Sequence, residues 1–301
     1  MSSQSQPPSR SADYFQSLFS LAGKTALITG SGRGVGFAYA RALARAGASI
    51  ILVLHPGESD GAVAEIRELG AATHVFKVDL LDREQVRGLF PRVRAAGLAV
   101  DIFVNNAGIA HREAILAYPE DKWYDIIQVN LSAGFVLGRA FASDVVGRGA
   151  RGKIINTSSV GGFLASRNTV AYTAAKHGVN ALTKSFSTEF AGRGICVNAI
   201  APGYTVTELT RGNLEKNGER FLSKIPIQRF AQTEDLEGAV VFLASRASDY
   251  VSGQVLAVDG GRIVSDFEAD LVTVDGAAAA AAAAEEHERP ASTEQPQSTP
   301  R

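Results

Sequence analysis

Tyr172 and Lys176 lie four residues apart in the stretch AYTAAKHGV, residues 171–179. In a helix this spacing puts both side chains on one face, with about 5–6 Å between their Cβ atoms. A free phenol titrates near pH ~10 and is a poor acid or base at neutral pH. A cation beside it favours the phenolate and lowers its pKa toward neutrality. The pair can therefore serve proton transfer, although a helix with one interfacial tyrosine and one solvated lysine shows the same spacing.

A glycine-rich segment, TGSGRGVG over residues 29–36, follows the first apolar run of the chain. Its glycines are spaced Gly30-x-x-x-Gly34-x-Gly36, which differs from the pattern Gly-x-Gly-x-x-Gly. Glycines at such a turn let the backbone approach phosphates closely, and the N-terminus of the following helix attracts their negative charge. The segment predicts a phosphate-binding turn. The alternative is a glycine-rich turn that only packs a helix on a strand.

Seven short apolar runs alternate with longer segments rich in Ala, Leu, Arg and Glu. The runs cover residues 24–30, 49–54, 73–80, 101–106, 152–159, 194–203 and 254–261. Strands that alternate with helices predict βαβ units and a parallel sheet buried on both faces. The sequence therefore predicts an α/β protein with a single-domain, doubly wound Rossmann fold, its seven-stranded parallel sheet flanked by helices.

The composition changes at both ends of this pattern. Residues 1–18 are rich in Ser, Gln and Pro and predict a disordered N-terminal arm. Residues 264–301 form a low-complexity C-terminal tail, in which an alanine run precedes a polar stretch with prolines. The folded domain is therefore expected over residues 19–263.

The overall composition excludes several classes of protein. A formal net charge of −1 gives no electrostatic case for a nucleic-acid or membrane partner. A single cysteine excludes an internal disulfide and a Cys-based metal cluster, and the five histidines lack metal-ligand spacing, so no metal site is expected. No apolar run reaches the roughly 18–20 residues of a membrane span, and the N-terminus lacks the features of a secretory signal. A cytoplasmic protein is expected.

Together these residues resemble the short-chain dehydrogenase/reductase family over about residues 20–263, because the family's motifs occur in order and at family spacing. The motifs are Thr29-Gly30-x-x-x-Gly34-x-Gly36, Asn105-Asn106-Ala107-Gly108, Asn130, Ser159, Tyr172-x-x-x-Lys176, Pro202-Gly203 and Val258-Asp259-Gly260-Gly261. The resemblance implies the strand order 3-2-1-4-5-6-7. It also implies a nicotinamide cofactor across the C-terminal edge of the sheet.

The resemblance assigns catalytic roles to four residues. Tyr172 would be the general acid/base, and Lys176 would lower its pKa and bind the nicotinamide ribose. Ser159, thirteen residues before the tyrosine, would orient the substrate oxygen, with its neighbour Ser158 as the rival candidate. Asn130 would hold a water that links Lys176 to solvent. Such an enzyme interconverts a secondary alcohol and a ketone by hydride transfer.

The resemblance also points to a cofactor. Leu54 occupies the position at the end of the second strand where NAD-preferring members carry an acidic residue, and His55 follows it. Arg33 lies where NADP-preferring members often carry a basic residue. We therefore favour NADP(H), with NAD(H) as the alternative. The expected cofactor-binding residues are Gly30, Arg33, Gly34, Gly36, His55, Asp79 at the adenine edge, Asn105, Asn106, Tyr172, Lys176, Thr205 and Thr207.

Within the family the chain is similar to the sugar-acid dehydrogenases, which include gluconate 5-dehydrogenases and 2-keto-3-deoxygluconate dehydrogenases. This predicts a small-molecule substrate such as a sugar acid or polyol, which Arg112 and Arg167 could anchor by a carboxylate. Residues 206–229 lack strong periodicity and predict a substrate lid. The alternatives are a ketoreductase of secondary metabolism, for example polyketide biosynthesis, and a non-catalytic nucleotide-binding scaffold. A homodimer or homotetramer is expected, with contacts through helix 172–191 and the last strand.

Overall fold

A parallel β-sheet forms the centre of the structure, a computed structural model that describes residues 10–264 and residue 266. Within this range the sheet has seven strands in the order β3-β2-β1-β4-β5-β6-β7, and all neighbouring strands are parallel. The predicted doubly wound fold and its strand order are confirmed. The strands are β1 Thr25–Thr29, β2 Ser49–Leu54, β3 Thr73–Lys77, β4 Ile102–Asn105, β5 Gly152–Thr157, β6 Ile195–Pro202 and β7 Val255–Val258.

Helices cover both faces of the sheet, as parallel strands joined by crossovers require. Successive strand residues point to opposite faces, so Leu27 and Ile28 of β1 belong to different hydrophobic clusters. The helices of the described chain are α1 Arg10–Phe19, α2 Gly34–Arg45, α3 Gly61–Glu68, α4 Arg83–Ala95, α5 Glu120–Ile127, α6 Ala133–Gly147, α7 Val170–Phe190, α8 Glu208–Leu222 and α9 Glu237–Ala244. Helices α2 and α9 pack on the Ile28 face, and α4, α6 and α7 on the Leu27 face.

A π-helical turn, Gln128–Ser132, joins α5 to α6 without a break. The N–H of Ala133 donates to the carbonyl of Gln128, so the turn contains one residue more than an α-helical turn. The combined helix, Glu120–Gly147, is the one helix of the described chain that matches a membrane span in length and composition. Half of its most apolar window is buried inside the fold, as expected for the core helix of a folded domain.

Helix α1 lies within the segment that we predicted to be a disordered arm, and that prediction is corrected for residues 10–18. The helix is held at its C-terminal end, because Arg246 donates to the Ser17 carbonyl at 3.3 Å. The next residues enter the core, where Leu21 is buried and its N–H donates to the Ala46 carbonyl at 2.8 Å. Residues 1–9, and the predicted tail apart from residues 264 and 266, lie outside the described residues.

Candidate active site

A pocket of about 560 Å³ lies at the C-terminal edge of the sheet. Its volume is within the range of about 300–1,000 Å³ that is usual for small-molecule and cofactor sites. It brings together most of the residues that the sequence predicted for the site: Gly30, Arg33, Gly34, Gly36, His55, Asp79, Asn106, Ser159, Tyr172, Lys176, Thr205 and Thr207. Asn105 and Asn130, which were also predicted, are buried and do not line it.

The glycine-rich turn packs so tightly that it excludes side chains. Gly30 has a φ of +61°, a conformation that favours glycine. A Cβ atom added at Gly36 would lie 2.2 Å from the Gly30 carbonyl oxygen and 2.4 Å from Nδ2 of Asn106. That amide donates to the carbonyls of Thr29 and Gly30 at 3.0 and 3.2 Å. Helix α2 begins at Gly34, so the N–H groups of its first turn have no partner within the helix. Together with the closely packed glycine backbone, they form a surface suited to a dinucleotide pyrophosphate.

Asn105 supports the sheet beneath the pocket. It is 6% exposed, and its Nδ2 donates to Oδ1 of Asn156 on the neighbouring strand β5 at 3.0 Å. Asn156 in turn donates to Oγ1 of Thr183 on α7 at 2.9 Å. This chain of side-chain hydrogen bonds ties β4 and β5 to the helix that carries Tyr172. Asn105 therefore braces the site from behind, without lining the pocket itself.

Ser159 and Tyr172 meet at the other end of the pocket. Ser159 follows β5, and its Oγ accepts a hydrogen bond from the N–H of Gly161 at 3.0 Å. Its neighbour Ser158 donates to Oδ1 of Asn180 at 2.5 Å, so its hydroxyl serves to hold α7 against β5. Burial raises the pKa of the Tyr172 phenol, and the hydrogen bond with the Ser159 side chain opposes part of that rise. This arrangement favours Ser159 over Ser158 as the serine that acts with the tyrosine.

Lys176 is buried beside Tyr172 but does not pair with it directly. The lysine is 4% exposed, its Nζ donates to the Thr157 carbonyl at 2.7 Å, and it lies 5.6 Å from the centre of the tyrosine ring. Burial lowers the pKa of Lys176 to about 8. The pKa of Tyr172 is raised by burial, against the effects of Ser159 and the positive charge of Arg112. The lowering of the Tyr172 pKa by Lys176 stays a prediction.

The buried lysine gives the unliganded protein a specific pH dependence. Because its pKa of about 8 is below the ordinary value of 10.5, the unfolded chain binds more protons than the native protein between these values. The free energy of unfolding therefore rises with pH across this window. Relative to Lys176→Met, which lacks the titrating group, we expect wild type to gain roughly 2 kcal/mol of stability between pH 8 and 10. Urea denaturation at a series of pH values measures this, and parallel pH curves for the two proteins would contradict it.

Asn130 lies in the π-helical turn and is 3% exposed. Its Oδ1 accepts from the N–H of Ile109 at 2.8 Å, and its Nδ2 donates to the carbonyl of the same residue at 2.9 Å. The side chain thus fixes the loop that follows β4 along the wall of the pocket. Its role in a water-mediated proton relay from Lys176 stays a prediction.

The predicted lid contains α8, which begins directly after the threonines of the pocket. The Thr207 hydroxyl caps this helix by accepting from the N–H of Thr210 at 3.3 Å, and Thr210 Oγ1 donates to the Thr205 carbonyl at 2.6 Å. Leu214 is the buried residue of α8, and Asn217 departs from helical backbone angles. A helix that buries so little of its surface has no strong apolar periodicity, which explains why the sequence did not predict it.

His55 and Asp79 mark the end of the pocket that is remote from Tyr172. The His55 Nδ1 accepts from the N–H of Gly57 at 3.1 Å, and Asp79 Oδ1 accepts from the N–H of Leu81 at 2.9 Å. Both side chains are thus fixed by their own loops, β2 to α3 and β3 to α4. Among the described residues, no group of three or more His, Cys, Asp or Glu side chains could hold a metal ion.

Glu58 is a pocket residue that the sequence analysis missed. Its Oε2 accepts from the N–H of His55 at 3.0 Å, and its Oε1 lies 3.5 Å from Nε of Arg33. A second carboxylate, that of Glu208 on α8, lies 3.1 Å from Nη1 of the same arginine. Arg33, which we predicted to bind the cofactor, is therefore paired with two carboxylates. The sequence feature that could have indicated Glu58 is an acidic residue in the turn HPGESD, shortly after β2. This turn is not part of any motif used in the sequence analysis.

Known proteins share both the sequence and the architecture of this chain. Residues 30–263 match a family described as enoyl-(acyl carrier protein) reductase. The 2-dehydro-3-deoxy-D-gluconate 5-dehydrogenase of Bacillus subtilis (strain 168) is 44% identical over 250 residues, covering 82% of this chain and 98% of that protein. The gluconate 5-dehydrogenase of Gluconobacter oxydans (strain 621H) is 41% identical over 253 residues, with coverage of 82% and 98%. The crystal structure of a gluconate 5-dehydrogenase from Burkholderia cenocepacia J2315 in complex with NADP and tartrate has a TM-score of 0.79 at 38% identity, covering 83% of this chain and 99% of that chain.

Proposed function

The chain belongs to the short-chain dehydrogenase/reductase family, and on that premise we propose that it interconverts a sugar acid and the corresponding keto acid. It is an NAD(P)-dependent oxidoreductase that acts on CH–OH and C=O groups. The pocket fits this class of cofactor, because the turn at Gly30 and Gly36 excludes side chains where a pyrophosphate must approach the backbone. Relatives act on gluconate and dehydro-deoxygluconate, and NADP is bound in the Burkholderia cenocepacia structure, which supports NADP(H) and a sugar acid here.

The observation that carries the substrate class is that two arginine-bearing loops meet beside the pocket, whose wall includes Ile109 and Ala110 on one loop and Tyr172 shortly after the other. Arg112 lies on the loop after β4, and Arg167 lies on the loop before α7; both are exposed. These loops are joined where the N–H of Glu113 donates to the Asn168 carbonyl at 3.1 Å. A substrate carboxylate bound by these arginines would leave the reacting carbon of a sugar acid near the phenol.

In this proposal the side chains of the pocket move one proton and orient one oxygen. Bound NADP(H) accepts or supplies the hydride. Tyr172 exchanges a proton with the substrate oxygen, and the Ser159 hydroxyl orients that oxygen by a hydrogen bond. Lys176 Nζ lies 5.6 Å from the centre of the tyrosine ring, and its positive charge, when it is protonated, would favour the ionised phenol. Asn130 holds the loop after β4 in place through Ile109.

A substrate panel tests the proposal directly. Gluconate and keto-gluconates represent sugar acids, an uncharged sugar alcohol represents polyols, and an aromatic ketone represents substrates of secondary metabolism. Turnover is followed by nicotinamide absorbance with NADP(H) and NAD(H). We expect the sugar acids to have the highest kcat/KM. Efficient turnover of the aromatic ketone with none of the sugar acids would replace this proposal by the ketoreductase alternative.

The two arginines at the rim provide a more specific prediction. Arg112→Ala combined with Arg167→Ala should raise KM for a sugar acid by roughly 10- to 100-fold, because charge-assisted hydrogen bonds to the carboxylate are lost. The kcat should change much less, since binding to ground state and transition state is lost equally. Arg151→Ala is the matched control, because Arg151 is exposed and precedes β5 at the opposite edge of the sheet. An unchanged KM in the double variant would rule out the carboxylate anchor.

We also propose a homodimer or homotetramer. The exposed ring of Phe135 on α6 lies 6.0 Å from the ring of Phe186, a buried residue of α7 whose ring lies 5.1 Å from that of Phe190. Phe135 is 44% exposed, and Leu256 is 39% exposed on the edge strand β7. Apolar side chains grouped at a surface are typical of association sites. Light scattering at micromolar concentration tests the proposal, and a monomeric mass would oppose it.

A further inference from the structure

We propose that Glu58 is a specificity-determining residue for the cofactor. Its carboxylate would accept hydrogen bonds from the adenosine ribose hydroxyls of NAD(H) and oppose the 2′-phosphate of NADP(H). The inference rests on the proposed function, because it requires a nicotinamide dinucleotide in the pocket. In NAD-preferring members of the family, an acidic residue at the end of β2 binds the ribose hydroxyls. Leu54 cannot bind them, and the inference assigns this role to a residue of the β2–α3 loop.

The position of Glu58 is the first argument. A Cβ atom added at Gly32 would lie 2.9 Å from Oε2 of Glu58 and 3.3 Å from a methyl group of Leu54. The carboxylate therefore lies between the glycine-rich turn and the end of β2, on the wall of the pocket. When the pyrophosphate of a dinucleotide lies at the N-terminus of α2, its adenosine ribose lies at the end of β2. Glu58 thus faces the subsite in which NAD and NADP differ.

The second argument is that the surrounding loop holds this carboxylate in place. The N–H of Glu58 donates to the His55 carbonyl at 2.9 Å, while the N–H of His55 donates to Oε2 at 3.0 Å. Lys77 Nζ donates to the Glu58 carbonyl at 2.6 Å and forms an ion pair with Asp60 at 2.8 Å. The side chain of Glu58 is only 23% exposed. A carboxylate fixed in this way is an acceptor that is already arranged for ribose hydroxyls.

The third argument concerns charge. The positive charge of Arg33 favours a phosphate at this subsite, whereas the negative charge of Glu58 opposes one. Glu58 also forms an ion pair with Nε of Arg33. Glu208 forms a second ion pair, with Nη1 of the same arginine. A 2′-phosphate must compete with both carboxylates for the arginine, although Arg33 is 64% exposed and such exposed pairs are weak. Arg33 and Glu58 therefore have opposite effects on the preference for NADP(H). Because of Glu58, this preference is smaller than it would be with Arg33 and Leu54 alone.

The test measures binding in the absence of substrate. Dissociation constants for NADPH and NADH are determined by calorimetry on the full chain and on Glu58→Gln, which keeps an oxygen to accept from His55 but removes the charge. We expect NADPH to bind about 10-fold more tightly and NADH a few-fold more weakly, because a repelling charge is lost for one and a charge-assisted bond for the other. Unfolding curves for both proteins verify that the variant is folded.

Glu208→Gln is the matched control, because it removes the other carboxylate on Arg33 without touching the β2–α3 loop. It should weaken NADH binding less than Glu58→Gln does, and strengthen NADPH binding less as well. The inference is overturned if the ratio of the two dissociation constants is the same in wild type and Glu58→Gln, or if both glutamate variants change NADH binding equally. Wild type that binds neither nucleotide would instead overturn the proposed function itself.

Discussion

Tyr172→Phe is expected to lower kcat by roughly 10²- to 10⁴-fold and to leave the dissociation constant of NADPH nearly unchanged. The substitution removes one oxygen atom, the proton donor and acceptor of the proposed reaction, and retains the ring. Tyr172 contributes to the wall of the pocket near Ser159, whereas the backbone surface for the pyrophosphate is built from Gly30 and Gly36. Proton transfer and cofactor binding therefore depend on different atoms.

Steady-state kinetics with the best sugar acid of the panel, together with nucleotide titration, separate these two effects. Tyr124→Phe is a suitable control, because Tyr124 is 65% exposed on α5 and does not line the pocket. It should retain the kcat of wild type. Wild-type turnover by Tyr172→Phe would show that the proton is handled by another group. Joint loss of turnover and cofactor affinity would show that the phenol is needed to bind the nucleotide.

Gly36→Ala should prevent cofactor binding in the measurable range and destabilise the fold. Its methyl group would lie 2.2 Å from the Gly30 carbonyl oxygen and 2.4 Å from Nδ2 of Asn106. The clash is with backbone and with an amide that holds the turn through two hydrogen bonds, so α2 must move away from β1. Overpacking of this kind typically costs about 1–3 kcal/mol, and the displaced turn no longer presents its N–H groups to a phosphate.

Gly88→Ala is the control for Gly36→Ala, because the same substitution should stabilise the fold at this position and leave NADPH binding unchanged. Gly88 lies within helix α4, and a Cβ atom added there has no neighbour within 4 Å. Replacing glycine by alanine in an open helical position should stabilise the protein by about 0.5–1 kcal/mol. NADPH titration and urea denaturation on both variants test the pair. Normal NADPH affinity in Gly36→Ala would show that the turn is not a phosphate site.

The sequence predicted the sheet well, because strands buried on both faces leave continuous apolar runs. The run 49–54 coincides with β2, and the run 152–159 exceeds β5 by two residues. The meeting of Ser159, Tyr172 and Lys176 in one pocket could also be predicted, since these residues occur at the family's spacing along the chain. The partner of Lys176 could not, because the Thr157 carbonyl is brought to it only when β5 packs against α7.

The parts that could not be predicted depend on contacts between segments distant in the chain. Arg33 has the expected position, yet its pairing with Glu208 joins residues 175 positions apart. Glu58 is conspicuous only once the loop after β2 folds back beside Gly32. Helix α1 was missed for a related reason: it directly follows a stretch rich in Ser, Gln and Pro, and its fixed end depends on Arg246.

The wide turn at Gln128–Ser132 also changes the phase of the helix that contains it. Compared with an uninterrupted α-helix, one additional residue in a turn rotates every later side chain by about 100° about the helix axis. Before the turn, Ile126 packs with Ala171 and Ala175, and after it Leu137 and Phe141 pack with the large cluster on the Leu27 face. The helix thus carries two apolar stripes at different angles, and together they occupy more of its circumference than one stripe would. This explains how a helix of a folded domain reaches the apolar composition of a membrane span.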